Sequence, residues 1–323
     1  MTDQASSSGD MLIAAPERWD EACFAVPAVR ALMAAGIQAG ILCPEEQLPF
    51  WESLPGLALV PYPPDAKTKV LAPALAGRWA ASIAWQRGVA AETFARARIP
   101  RRLGPAGKPL RKFLTHEVDG LRVSGPPPHR VRYYLDFVEA LGPGTARAEF
   151  FSPASLGLQP ERGTVLLSPG SDFGPNHEWP LERWAEIAAK LQDRGIRCTV
   201  ACVPGSQDRC QALLRTLPDD TPFFEASPLG AVLPLLAVHQ VVLAADGSLP
   251  HLAAYAGASC VTLFGPNSPQ WKRPLGRRHQ VVSRHTECAP CFLPKCPLDL
   301  RCQTELSTAR VWTALAKALD LPD

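Results

Sequence analysis

Short apolar runs alternate with amphipathic stretches along almost the whole chain. In the first half, Met11–Ala15, Gln38–Leu42, Leu57–Val60 and Ala81–Trp85 read as strands, and Asp20–Ala35, Glu45–Glu52, Val89–Ala97 and His129–Leu141 as helices. The second half repeats the rhythm. Strands are expected at Thr164–Leu167, Ile196–Cys202, Gln240–Ala244 and Ser259–Gly265, and helices at Pro180–Arg194, Gln207–Thr216, Leu229–Val238, Pro250–Ala256 and Thr308–Leu319. Within Pro180–Arg194, residues Leu181, Trp184, Ala185, Ala188 and Leu191 share one face, and Pro180 stands in the first turn, where a missing N–H costs nothing. Alternation of this kind in both halves predicts an α/β protein of two Rossmann-like, doubly wound parallel-sheet domains facing a cleft. The expected boundaries are a leader at 1–10, a first domain at 11–145, a Gly-, Pro- and Ser-rich linker at 146–163, a second domain at 164–306 and a closing helix at 307–323.

At 323 residues the chain can build two hydrophobic cores. A formal net charge of +2 gives no global case for nucleic-acid binding. The opening "MTDQASSSGD" is polar and acidic, unlike the start of a secretory signal, and the most apolar window, Ala231–Ala245, is short of a membrane span. The expected location is therefore cytoplasmic. Ten cysteines in that compartment read as free thiols or a metal site before they read as disulfides.

Ligands of doubly wound domains bind at the carboxyl ends of the strands. No G-x-G-x-x-G follows the first strand and no G-x-x-x-x-G-K-[ST] occurs anywhere, so the usual dinucleotide and P-loop readings lose their main support. A different loop stands out. "SPGSDFGPNHEWPLERW", Ser168 to Trp184, puts twelve residues, eight of them Gly, Pro, Ser, Asn or Asp, between a strand and a helix. Gly170 and Ser171 allow a ligand close to the backbone, and the helix beyond Pro180 offers free N–H groups and a positive dipole end to an anion. A purely structural turn is the alternative. In "AADGSLPHLAAYA", the amides of Gly247 and Ser248 precede a second helix, His251 lies in its first turn, and Asp246 is placed to accept backbone N–H bonds or to form a plain Asx turn.

Together these stretches, with "CAPCFLPKCPLDLRC" and "DEACFAVPAVRAL", resemble the bacterial heptosyltransferase family of glycosyltransferases. That family's pattern reads PGA-x-x-G-x-x-K-R-W-P, then D-[TS]-G-x-x-H-L-A-A and F-G-P-T-x-P, with G-D-x-x-x-x-x-P-A near the start. The resemblance implies a GT-B fold, an ADP-activated heptose as donor and a lipid A–core or other glycolipid acceptor. It also implies single displacement at an anomeric carbon without a required metal, peripheral contact with the inner membrane, and a C-terminal helix that packs back across the linker. The donor site would be lined by Gly170, Ser171, His177, Asp246, Gly247, Ser248 and His251.

Three departures from the pattern stand out. Counting back from Pro27–Ala28 puts Glu21 at the family's catalytic aspartate, with Asp20 the alternative base one position off. The dipole at a helix start favours an ionised carboxylate there, and capping alone is the alternative role. The family's lysine is His177, and its arginine is Glu178, a negative charge that fits only if it points to solvent or pairs with Arg183. A transferase is the favoured reading, and a sugar-nucleotide or glycolipid binding protein that has lost turnover is the rival.

Two further features carry chemistry. Arg96, Arg98, Arg101, Arg102, Lys108, Arg111 and Lys112 form an acid-free basic stretch, read as a loop that meets a phosphorylated, membrane-embedded acceptor or is merely solvated. Cys288, Cys291, Cys296 and Cys302, spaced C-x2-C-x4-C-x5-C, are candidates for a structural zinc, with free thiols or a disulfide as the alternatives.

Overall fold

A computed structural model describes residues 10–119 and 127–321. The leader expected at 1–10 lies outside them except for Asp10. The chain divides into two compact units, Met1–Phe151 and Ser152–Asp323.

The first unit is a six-stranded parallel sheet. Its strands are β1 (Met11–Ala14), β2 (Ala39–Pro44), β3 (Ala58–Tyr62), β4 (Ala81–Ile83), β5 (Arg101–Pro105) and β6 (His116–Val118), in the order β3-β2-β1-β4-β5-β6. Its helices are α1 (Trp19–Ala34), α2 (Leu48–Glu52), α3 (Thr68–Leu75), α4 (Val89–Arg96), α5 (Lys108–Arg111) and α6 (Val131–Glu139). The second unit repeats the plan with β7 (Glu161–Ser168), β8 (Arg197–Cys202), β9 (Phe223–Glu225), β10 (His239–Ala245), β11 (Ser259–Phe264) and β12 (Gln280–Ser283), in the order β12-β11-β10-β7-β8-β9. Around that sheet lie α7 (Leu181–Gln192), α8 (Gln207–Leu214), α9 (Leu233–Ala237), α10 (Leu249–Ala256), α11 (Pro269–Lys272), α12 (Arg301–Thr304) and α13 (Thr308–Ala318). Among the described residues no helix is long and apolar enough to cross a membrane.

Central strands buried on both faces explain the apolar runs. Val165–Leu167 and Val241–Ala245 are buried at every position. Trp179 and Trp184 are each fully buried and meet edge to face, with ring centroids 5.9 Å apart. Burying a large apolar side chain contributes ~1.5–3 kcal/mol, so the two indoles anchor α7 to its sheet. Trp179 Nε1 also donates to Leu306 O at 2.8 Å. The closing helix α13 is capped by Ser307 Oγ and packs on α7, β10, β11 and β12, elements of its own unit.

Three segments differ from the sequence reading. The linker expected at 146–163 contains a 3-10 turn at Ala148–Phe151, whose Phe150 is buried and takes a hydrogen bond from Arg30 through its carbonyl, and β7 already begins at Glu161. The basic stretch is not a loop but the end of α4, the strand β5 and α5. Arg102 is committed to the backbone, donating to Phe113 O and Ile99 O at 2.7 Å each, and Arg111 pairs with Glu117 at 2.7 Å.

His279 shows how a half-buried polar side chain ties a strand edge. The Cys260 backbone N–H donates to its Nδ1 at 3.2 Å, so Nε2 carries the proton and donates to Leu275 O at 2.9 Å. Burial pushes this imidazole down to about 4. Below the ordinary ~6.5 the unfolded chain thus binds a proton that the native state refuses, and stability is lost as pH falls from there toward about 4. We expect denaturant unfolding to show the wild type losing on the order of 2–3 kcal/mol more than His279→Gln across that window. Parallel pH profiles for the two proteins would refute this role.

Candidate functional site

In each sheet the strand order reverses once along the chain, between β1 and β4 and between β7 and β10. At such a switch point the loops after the two neighbouring strands diverge and leave a crevice. The chemistry-bearing residues collect at both.

In the second unit, the loop after β7 and the turn after β10 are sewn together. Ser171 Oγ donates to the Asp246 carbonyl at 2.6 Å and accepts the Phe173 N–H at 3.1 Å. Asp172 reaches across to α10, accepting the Ser248 N–H at 2.8 Å and its hydroxyl at 2.5 Å. His177 and Asp246 meet through Nδ1 and Oδ2 at 2.9 Å, and Asn267, from the turn after β11, donates to the same Oδ2 at 2.7 Å. Asp246 is completely buried, and its Oδ1 has no hydrogen-bond partner among the described residues. His251 lies buried inside α10.

The glycines and amides have a different use from the one expected. A Cβ on Gly170 would overlap the Cβ and Oγ of Ser206, and one on Gly247 would stand 2.7 Å from Asp172 Oδ1. Both glycines are demanded by packing within the protein. The Ser171 N–H is taken by Glu178 Oε1 at 3.1 Å, and the Ser248 N–H by Asp172, so these two amides of the anticipated anion cradle already hold side-chain carboxylates. Glu178 neither points to solvent nor pairs with Arg183. It lies 3.7 Å from Arg209, while Arg183 donates to Leu306 O. Arg209 also donates to Pro169 O at 2.8 Å and to Trp179 O, so Glu178 and Arg209 together clamp the loop at both ends.

In the first unit a pocket of about 200 Å³ opens at the switch point. It is lined by the loop after β1 (Ala14–Arg18), the loop after β4 (Trp85–Gly88), Tyr62, Glu21 and the start of α6. Arg130 Nε donates to Glu21 Oε1 at 3.0 Å and Oε2 at 2.8 Å, and the Tyr134 hydroxyl donates to Oε2 at 2.7 Å. The guanidinium covers the Tyr133 ring at 4.1 Å. Burial opposes the Arg130 charge, but Glu21 more than offsets it and holds the guanidinium above its ordinary value. Burial, then the Glu21 charge, pushes the Tyr134 phenol well up, which keeps its proton in place as a donor. Asp20 is fully buried, held by Arg18 at 3.0 and 3.2 Å, and does not line the pocket. Glu21 faces the open space.

Sequence reading missed Arg130, Tyr133 and Tyr134, since His129–Leu141 shows only helical periodicity. It also gave no role to Asp172 or Asn267, although both stand inside the quoted motifs.

The four clustered cysteines do line one cavity, of about 20 Å³, together with Asn176 and Asp299. All ten cysteines are free thiols. Among the described residues, however, no three His, Cys, Asp or Glu side chains are grouped to hold a metal ion, so the arrangement does not provide the tetrahedral zinc site that the spacing suggested. Burial first, then the three neighbouring thiols, pushes Cys302 up to about 11.

Two doubly wound six-stranded α/β units in one chain follow the plan of the GT-B fold. Residues 143–301 match the glycosyltransferase family 9 (heptosyltransferase) domain. Lipopolysaccharide heptosyltransferase 2 of Escherichia coli K12 is 28% identical over 136 residues, 39% of this chain and 37% of the relative, so the alignment spans little more than a third of that protein. The solved structure of E. coli ADP-heptose LPS heptosyltransferase II superposes with a TM-score of 0.77 at 21% identity, over 96% of this chain and 98% of that one. An E. coli heptosyltransferase solved with ADP gives a TM-score of 0.74 at 19% identity, over 96% and 99%.

The thiol environments differ enough to be read out chemically. Burial pushes Cys43 up to about 12 and Cys198 to about 11, whereas Cys288 is exposed. At neutral pH an alkylating reagent, mapped by mass spectrometry, is expected to label Cys288, Cys291 and Cys296 in the native protein and to reach Cys43, Cys198 and the buried Cys302 only after unfolding. Equal labelling rates for Cys43 and Cys288 would show that these burial patterns are wrong.

Proposed function

We propose that the protein is a glycosyltransferase that moves a heptose from ADP-heptose to a lipopolysaccharide core acceptor. The observation that carries the reading is the family 9 match over 143–301, together with heptosyltransferase relatives that align there. In this reading the first unit takes the acceptor and the second binds the nucleotide sugar. The protein works at the cytoplasmic face of the inner membrane, where the remaining cations of the basic stretch lean toward anionic headgroups.

The reaction needs three things. An acceptor hydroxyl must lose its proton, its oxygen must attack the anomeric carbon, and the bond to the β-phosphate must break with the electron pair leaving on ADP. Glu21 is the proposed base. It lines the pocket at the first switch point, and Arg130 and Tyr134 fix its orientation. The donor side is proposed at the second switch point, where His177, Asp246 and Asn267 stand with the first turns of α7 and α10. A dipole at a helix start favours the charge that accumulates on a departing diphosphate.

The test is donor turnover with Glu21→Gln. Losing a general base typically costs ~10²–10⁴-fold in rate. We expect a loss of that size in transfer of heptose from ADP-heptose to a heptose-deficient core glycolipid, with the Kd for ADP within about threefold of wild type, because Glu21 lies in the other unit. A variant that turns over within a few-fold of wild type removes Glu21 as base. Failure of the wild type to bind ADP or ADP-heptose removes the donor assignment.

A further inference from the structure

The segment that carries Cys288, Cys291, Cys296 and Cys302 is bonded to two turns of the second switch point. The Cys291 and Phe292 N–H groups donate to Pro266 O at 3.0 Å each, and Pro266 precedes Asn267, the donor to Asp246. Asn176 Nδ2 donates to Leu293 O at 3.3 Å, and Gln303, next to Cys302, donates to Asn176 O at 3.5 Å. Asn176 in turn precedes His177, which meets the same carboxylate. Whatever moves the cysteine segment therefore pulls on the residues beside His177 and Asn267.

The four thiols differ in access. Cys288 is exposed, Cys291 and Cys296 are half-buried and Cys302 is buried, yet all four residues line one cavity of about 20 Å³. Burial is the main cause that pushes the Cys302 thiol up, and among its neighbouring thiols Cys288 adds most, ahead of Cys291 and Cys296. A charge effect falls with distance, so Cys288 and Cys302 are the near pair. The Thr286 hydroxyl stands 3.6 Å from the Cys288 sulfur and can donate to its thiolate. An accessible sulfur thus lies beside a sheltered one, the arrangement of a reactive cysteine and its resolving partner.

We propose that Cys288 and Cys302 form a reversible thiol–disulfide switch, closed by a peroxide and opened by a dithiol, that loosens the turns carrying His177 and Asn267. The Cys288 sulfur attacks one oxygen of hydrogen peroxide and the O–O bond breaks. The departing hydroxide takes the thiol proton and leaves as water, and Cys288 becomes a sulfenic acid. The Cys302 sulfur then attacks the Cys288 sulfur, the S–O bond breaks, and the hydroxide leaves with the Cys302 proton as a second water. The two cysteines lose two electrons to the peroxide, and a dithiol returns them. A disulfide holds its sulfurs ~2.05 Å apart, closer than unbonded thiols approach, so the bridge draws the 288–302 segment inward. The hydrogen bonds from Cys291 and Phe292 to Pro266, and from Asn176 to Leu293, are drawn with it. Only the last consequence, weaker ADP-sugar binding by the oxidised form, rests on the donor-site reading above.

The experiment treats the full chain, reduced and freed of reductant, with hydrogen peroxide. Thiols are then alkylated in denaturant and mapped by mass spectrometry, and amide hydrogen exchange is followed on native samples of both forms. A Cys288–Cys302 cross-link should appear and be reversed by dithiothreitol. With it, exchange should run about tenfold or more faster at the His177 and Glu178 amides, which bond to Gly174 O and Pro175 O in the thiol form. The Kd for ADP-heptose should rise about threefold to tenfold on oxidation, the worth of one hydrogen bond. Cys288→Ser, at an exposed position, should form no cross-link, show no change in exchange with peroxide, and keep the affinity of the reduced wild type. Four thiols still alkylated after peroxide, a bridge between other cysteines, or unchanged exchange with the bridge in place each overturn the proposal. So does a metal ion released when the thiols of the untreated protein are modified. A cross-link with faster exchange in a protein that binds ADP-heptose in neither form removes the donor-site reading and leaves the switch standing.

Discussion

The parallel pairing of β7 with β10 is the constraint on which the second unit depends. It sets Val241–Ala244 beside Val165–Ser168 and so delivers the loop from Ser168 and the turn from Asp246 to the same edge of the sheet. The paired residues of these two strands, such as Val165 and Val241, lie 76 apart in sequence, and each strand must leave toward its own helix. Polar backbone at that fork is then short of partners. The Ser171–Asp246 bond and the placing of Asp172 over Ser248 both answer that shortage.

The answer uses carboxylates. Glu178 takes the Ser171 amide, Asp172 takes the Ser248 amide, and Asp246 takes His177 and Asn267. Two of the three are balanced by full hydrogen-bond donors close by, and Glu178 also by Arg209. Amides at helix starts attract any anion, whether side chain or phosphate. A phosphate approaching these turns therefore competes with acids the chain already supplies. In the first unit the same fork, between β1 and β4, is met by the Arg130–Glu21–Tyr134 network instead.

Much of this architecture was legible in the sequence because parallel strands covered on both sides must be apolar throughout, and helices covered on one side must be periodic. The central strands β1, β2, β7, β8, β10 and β11 follow that rule. The strands that escaped notice, β5, β6, β9 and β12, lie on the flanks of the sheets and carry residues such as Arg101, His116 and the exposed Phe224, which satisfy neither pattern. The site was legible as glycine loops at strand ends but not as an arrangement. Gly170 is small because of Ser206, thirty-odd residues away, and Glu21 is fixed by Arg130 and Tyr134, whose separations in sequence are 109 and 113. Spacing within a motif carries no trace of such partners. The cysteine segment shows the opposite failure, because a suggestive spacing converged on one cavity without grouping its thiols for a metal.

The substitutions that looked like decay in the sequence are compensated in three dimensions. Glu178 would repel a diphosphate if it faced one; paired with Arg209 and bonded to the Ser171 amide, it instead stiffens the loop that carries His177. Glu21, the proposed base, is drawn to its place by two donors from the start of α6. A carboxylate held at both oxygens has lost rotamer freedom, and preorganisation of that kind is what a base needs to act without reorienting.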